Sequence, residues 1–233
     1  MAEFNQGGIL VDRVVAKAFA TNCWILSGTG SGQALIVDPG IGDPYLHRAI
    51  RDRCAELRLH PVASFLTHGH LDHIFSIAPL CAAEKIPAYI HPHDRALLSA
   101  PERALSKSAQ SMILEGMRFT EPEEVHELRD GMELEIAGLP LRFAHTPGHT
   151  PGSTVALVGK EYLLSGDVLF AGSIGRTDLP LGSLSDMEAS LREKIAPLSD
   201  ELEVLPGHGR TTTIGAERRD NPFLRAAMEG RLQ

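Results

Sequence analysis

No stretch of the 233-residue chain approaches the ~18 consecutive apolar residues that a bilayer span requires, so a membrane protein is not expected. Met1 to Leu10 lacks a positive segment followed by an apolar one, and no secretory signal is expected either. Cysteine is scarce. Cys23, Cys54 and Cys81 are odd in number, scattered, and form no C-x-x-C pair. Each lies among apolar neighbours and reads as a small buried hydrophobe rather than a redox or metal group. A cytoplasmic, reducing environment fits that usage. Basic runs are missing too, and the net charge of -8 opposes tight binding to a polyanion, which removes nucleic acid from the expected partners. No low-complexity segment, repeat or long linker divides the chain. What remains is 43% hydrophobic and 22% charged, an ordinary globular composition, at a length that one large domain can fill.

The hydrophobic pattern begins with strands. Val11 to Ala16, Cys23 to Ser27 and Ala34 to Val37 are short apolar runs, the last two separated by a Gly/Ser-rich turn. Asp43-Pro44 reads as an N-cap followed by a proline in the first helical turn, ahead of Leu46, Ala49, Ile50, Cys54 and Leu57 at helical spacing. Val62 to Leu66 is a buried strand. Ile74, Ile77, Ala78 and Cys81 then mark one face of a helix, and Leu105, Ala109, Met112, Ile113 and Met117 that of another. Strands return at Leu134 to Ala144, Thr154 to Val158 and Tyr162 to Leu164. Ser185 and Glu188 have the spacing of a capping box, opening a helix that buries Met187, Leu191, Ile195 and Leu198. Val204-Leu205 is a last short strand. Strands first, then mixed strands and helices, predict helices packed outside two sheets.

Chemistry concentrates where apolar runs end. Thr67-His68-Gly69-His70-Leu71-Asp72-His73 follows the strand at Val62 to Leu66. Neutral imidazole and carboxylate are ligands that zinc and iron prefer. A strand end followed by a glycine turn can aim His68 and His70 one way and Asp72 and His73 another, filling two adjacent metal positions. Three further stretches repeat the pattern of an apolar run and then a ligand type beside glycine. They are Thr146-Pro147-Gly148-His149-Thr150-Pro151-Gly152-Ser153, Leu164-Ser165-Gly166-Asp167 and Leu205-Pro206-Gly207-His208-Gly209. Strand ends opening onto Gly-rich loops are where such proteins gather catalytic groups. The other histidines have simpler readings. His91 and His93 sit at a loop-to-helix junction where Asp94 is expected to cap, His145 is a strand-end residue or a donor behind the ligands, and His47, His60 and His126 are expected in solvent.

In this order the motifs resemble the metallo-β-lactamase fold hydrolases, over Val11 to His208. The resemblance implies an α/β (α+β) protein, an αββα sandwich of two mixed sheets with helices on the outer faces, with residues 1–233 forming a single domain. It implies two divalent metal ions, zinc first with iron or manganese as alternatives. His68, His70 and His149 would hold one ion, Asp72, His73 and His208 the other, and Asp167 would bridge them. Phe170 to Pro180, which contains Gly175-Arg176-Thr177-Asp178-Leu179, is similar to glyoxalase II-type thioesterases (hydroxyacylglutathione hydrolases) and to persulfide dioxygenases. The stretch Thr212 to Leu224 resembles the short, single-domain glyoxalase II-like group, which lacks the added C-terminal helical domain.

The function this implies is hydrolysis of a small (2-hydroxy)acyl-thioester of a low-molecular-weight thiol. A metal-bridging hydroxide would be the nucleophile, with Asp72 as the catalytic residue that orients it. A thiolate of pKa ~8.5 leaves without a strong general acid, and none is evident near the motifs. Arg176 is the expected substrate-binding residue, through a carboxylate on the thiol half; an ion pair with Asp178 is the competing role. The alternatives are a mononuclear-iron persulfide dioxygenase, whose usual last motif Pro206-Gly207-His208-Gly209 does not match, or a lactonase or phosphodiesterase on the same fold.

Overall fold

The computed structural model describes residues 7–42, 45–107, 110 and 117–233. Two six-stranded sheets face each other. The first runs β1 (Ile9–Val15), β2 (Asn22–Gly28), β3 (Gln33–Val37), β4 (His60–Phe65), β5 (Ala88–Ile90) and β6 (Val125–Glu127), in that spatial order. Its first three strands are antiparallel and its last four parallel. Parallel neighbours need a long crossover. Helix α1 (His47–Leu57) supplies it between β3 and β4, and α2 (Leu71–Ile74) with α3 (Ile77–Glu84) supply it between β4 and β5. After β5 comes the single turn α4 (Pro92–Arg95).

The second sheet contains β7 (Glu133–Ile136), β8 (Leu139–His145), β9 (Thr154–Val158), β10 (Tyr162–Gly166), β11 (Glu203–Pro206) and β12 (Thr212–Thr213). Its spatial order is β12-β11-β10-β9-β8-β7. Only β10 and β11 pair in parallel, and α5 (Leu184–Ser190), continued by a π-helical turn at Leu191–Ile195, crosses between them. Helices α6 (Ile214–Asp220) and α7 (Pro222–Met228) follow β12.

Three apolar clusters define the layers. Between the sheets Phe65 of β4 meets Phe143 of β8 edge-on, with ring centroids 5.2 Å apart. Outside the first sheet Ile50, Cys54, Leu80 and Cys81 of α1 and α3 cover β2 to β5. Outside the second, Met187, Leu191, Ile195 and Leu224 do the same. The result is the expected αββα sandwich. All of the cysteines are buried and unpaired, and burial pushes their thiols up, to about 12 for Cys54 and Cys81. Among the described residues no helix is long and apolar enough to cross a membrane.

Several local expectations are corrected. The single helix through Ile74 and Cys81 is broken at Phe75-Ser76. There the Ser76 hydroxyl donates to the Gly40 carbonyl at 2.6 Å and accepts from the Leu46 amide at 2.8 Å, side-chain bonds that compete with helix continuation. The helix over Met187 starts two residues before the expected box. Ser183 is its N-cap, accepting from the Asp186 amide, while Ser185 lies inside the first turn. Strands β5 and β6, three residues each, were too short to show a period. The Asp43-Pro44 cap and most of the helix expected between Leu105 and Met117 lie outside the described residues.

Candidate metal centre

The motif strands end at one edge of the sandwich. Beyond β4, Thr67 donates its amide and hydroxyl to Asp38, at 2.8 and 2.7 Å. That clamp aligns the ends of β3 and β4 before the first histidine. His70 is still extended (φ -68°, ψ 144°), and α2 begins at the next residue. The change from extended to helical backbone sends His68 and His70 to one side and Asp72 and His73 to the other. Two groups of ligand-type side chains result, His68–His70–His149 and Asp72–His73–His208.

In the first group His70 Nδ1 lies 2.7 Å from His149 Nε2. His149 Nδ1 donates to the Arg176 carbonyl at 2.7 Å, so Nε2 is the nitrogen turned toward His70. His68 Nε2 is buried without a hydrogen-bond partner. In the second group His73 Nδ1 donates to Asp38 Oδ2 at 2.9 Å and His208 Nδ1 to the Phe19 carbonyl at 3.1 Å. Their Nε2 atoms face each other at 3.2 Å, and His208 Nε2 is 3.2 Å from Asp72 Oδ2. Asp167 stands between the groups, Oδ1 3.4 Å from His73 Nε2 and Oδ2 3.5 Å from both His149 and His208 Nε2. Nitrogen lone pairs turned toward one another repel unless a cation, proton or metal, lies among them. The outer nitrogens of His149, His73 and His208 are already committed to carbonyl and carboxylate acceptors, the arrangement that orients histidine ligands, and that of His68 meets the Thr67 hydroxyl at 3.0 Å. The donor set therefore fits divalent metal ions.

Electrostatics divides the two groups. Burial, with the neighbouring histidines, drives His68 well below its ordinary value and His70 down to about 3. Those rings are neutral and ready to ligate. Burial also opposes charge on His73, but Asp167, Asp72 and Asp38 outweigh it and hold His73 well above its ordinary value. His208 rises to about 9 against its own burial, through its bonds to Asp167 and Asp72. Asp72 falls to about 2, burial being overcome by His73 and the bond from His208, and Asp167 is lowered as well. Without metal, protons on the second group take the place of a cation.

Close backbone approach is needed twice. A Cβ on Gly207 would run into Asp167 Oδ1 and His73, and one on Gly175 into the Asp167 carbonyl and the His149 ring. A cavity of about 500 Å³ opens above the site. Its floor is His70, Asp72, His149, Asp167 and His208, and its walls are largely Phe19, Leu71, Leu105, Phe170 and Leu179.

Arg176 lines this cavity, but its guanidinium is 61% exposed and forms a two-pronged pair with Asp178, both bonds at 2.8 Å. Its carbonyl, not its charge, touches the ligand set. Asp94 was expected to cap α4. The cap is His91, whose Nδ1 accepts from the His93 amide. Asp94 is instead fully buried and accepts from the Gly69 amide, the Thr150 hydroxyl and the Gly152 amide, at 2.8, 2.6 and 2.7 Å. It joins the two loops that carry His68, His70 and His149. Asp38 was also missed, although Val37-Asp38-Pro39-Gly40 repeats the pattern of the other motifs, an apolar strand and then an acid near glycine. Thr21, which donates to Asp72 Oδ2 at 3.1 Å, had no such signal.

Comparison with known proteins places these observations among relatives. The model of the metallo-beta-lactamase superfamily matches residues 16–208. An uncharacterised protein of Mycobacterium tuberculosis is 43% identical over 223 residues, covering 93% of this chain and 98% of its own. The hydroxyacylglutathione hydrolase GloC of Haemophilus influenzae is 35% identical over 216 residues, 92% of this chain and 97% of its own. Among solved structures, the BLEG-1 B3 metallo-beta-lactamase superposes with a TM-score of 0.81 at 36% identity, covering 92% of this chain and 99% of that one. TTHA1623 in a di-iron-bound form does so with a TM-score of 0.76 at 34% identity, covering 91% and 100%.

Proposed function

The chain belongs to the metallo-beta-lactamase superfamily, and from that membership we propose that it is a metal-dependent thioesterase acting on a small (2-hydroxy)acyl-thioester of a low-molecular-weight thiol. The observation that carries the metal dependence is the convergence of histidine nitrogens and carboxylate oxygens at one sheet edge, with the outer nitrogens of His149, His73 and His208 engaged elsewhere. We assign His68, His70 and His149 to one ion, Asp72, His73 and His208 to a second, and Asp167 to both. Zinc is the first expectation, and the di-iron form of TTHA1623 supports iron as the alternative. When bound, such ions lower the pKa of water toward ~7 and polarise a carbonyl.

The chain's own residues supply the rest. Asp72 is kept ionised, and Thr21 holds one of its oxygens, so its carboxylate is placed to accept a proton from the attacking water and orient it. The apolar walls hold the acyl and thiol chains and exclude bulk water. Among the described residues the cavity lining contains no Glu, Lys, Tyr or Cys to serve as a general acid. A leaving group that departs as an anion suits such a site, and a thiolate of pKa ~8.5 does so readily. The hydroxyacylglutathione hydrolase relative supports the same choice.

The test pairs elemental analysis with an assay on a lactoyl-thioester. Activity should vanish with chelator and return with zinc or iron. His149→Ala should lose metal as His68→Ala does. Asp72→Asn should stay folded while turnover falls by orders of magnitude. Metal-loaded protein inert toward several acyl-thioesters would overturn the thioesterase reading, and full metal content in His149→Ala would overturn the ligand set.

A further inference from the structure

A second histidine cluster lies behind the ligand loops. His91 follows β5 in the first sheet, His93 is two residues on in α4, and His145 ends β8 in the second sheet. One ring nitrogen of each lies within 4.8 Å of the others. The His91 and His145 rings are parallel at 3.9 Å, and His93 stands edge-on to His91 at 4.8 Å. From this geometry we propose that His91, His93 and His145 form an accessory binding site for a zinc-like divalent transition metal, separate from the centre at the sheet edge.

The protonation pattern suits ligation. The Pro151 carbonyl accepts from His145 Nε2 at 2.8 Å and from His93 Nδ1 at 3.3 Å. The other nitrogen of each ring is left to face a ligand, and His91 Nδ1 accepts from the His93 amide at 3.3 Å, a long bond that ligation through Nδ1 would replace. His91 is buried, and burial with its neighbours His145 and His93 pushes it down to about 4, so it is a neutral imidazole at any ordinary pH. Glu127 and Asp130 add negative potential beside it. Three imidazoles and an open fourth position are a set that zinc accepts.

Ligation requires a defined rearrangement. Metal–nitrogen bonds of ~2.0–2.1 Å in a tetrahedron place ligand nitrogens roughly 3.4 Å apart. The cluster must therefore contract, and the parallel His91 and His145 rings must tilt so that their in-plane lone pairs converge. His93 is exposed and can supply most of the motion. The bound ion would cross-link the two sheets next to Asp94, which already joins the ligand loops.

The experiment starts from zinc-loaded holoenzyme in equilibrium dialysis against micromolar free Zn²⁺, with thermal melting in parallel. Wild type should take up one equivalent more than His93→Ala and more than the conservative His93→Gln. Added Zn²⁺ should raise the Tm of wild type and not that of either variant. Because the readout is a difference between proteins, it holds whether the main centre carries one ion or two. His208→Ala, which perturbs only that centre, should keep the accessory equivalent. Equal uptake by wild type and both His93 variants would overturn the proposal.

Discussion

Asp94 is the residue whose replacement tests how the metal loops are held. Its buried carboxylate accepts three hydrogen bonds, two at Oδ2 from the Gly69 amide and Thr150 hydroxyl, and one at Oδ1 from the Gly152 amide. Asp94→Ala leaves the Gly69 and Gly152 amides without an acceptor, while the Thr150 hydroxyl can turn to Ser153 Oγ, 2.8 Å away. A buried donor left unsatisfied costs about 1–3 kcal/mol, so a rigid structure would lose up to about 6 kcal/mol by the same principle. Two effects reduce this. Burial raises the Asp94 pKa, so its charge is itself costly, and removing it returns part of the loss. Water can also enter the space the carboxylate leaves. The expected loss is about 3–5 kcal/mol. Asp94→Asn keeps an oxygen toward Gly69 and Thr150 and turns its NH₂ against the Gly152 amide, for about 1–3 kcal/mol. Urea unfolding of metal-free protein measures both. Zinc competition against a chromophoric chelator should show affinity weakened about 10–100-fold in Asp94→Ala, the range for residues behind metal ligands. An Asp94→Ala protein within about 0.5 kcal/mol of wild type, with unchanged zinc affinity, would refute the reasoning.

Gly207→Ala should abolish metal binding at the second group, because its Cβ collides with Asp167 and His73; elemental analysis with circular dichroism separates this from unfolding. Metal-free protein should lose stability as pH rises. His208 is raised from its ordinary 6.5 to about 9, so its contribution is complete below 6.5 and is lost as pH rises through about 9, with the raised His73 acting in the same direction. Zinc uptake at neutral pH should for the same reason release protons from His73 and His208, seen as a buffer-dependent calorimetric enthalpy; an enthalpy independent of buffer would contradict those protonation states. Arg176→Ala should shift stability by less than about 0.5 kcal/mol, because its pair with Asp178 is exposed. If Asp178 yields the guanidinium to a substrate carboxylate, KM should rise about tenfold for carboxylate-bearing thioesters only; equal losses on neutral ones would leave Arg176 a loop brace.

Much of the fold and the candidate site was legible because the signals are local. An apolar run that stops at glycine and a histidine is both a strand end and a ligand position, since the glycine turn lets the chain leave the sheet edge. Helix faces at Ile50 and Cys54, or at Met187 and Leu191, follow from spacing alone, and so does the burial of the cysteines. The tertiary structure decided the partnerships between residues far apart in sequence. Asp94 looks like a cap from its neighbours, yet Gly69 and Thr150, 25 and 56 positions away, take it into the interior. Arg176 could have faced a ligand or Asp178, and the structure shows the exposed pair with Asp178, two residues away. The helix break at Ser76 depends on Gly40 and Leu46, and His91 meets His145 only because β5 and β8 end side by side in opposite sheets. Period and adjacency are written in a few consecutive residues, whereas the partner of a buried polar group is set by which strand ends the packed sheets bring together.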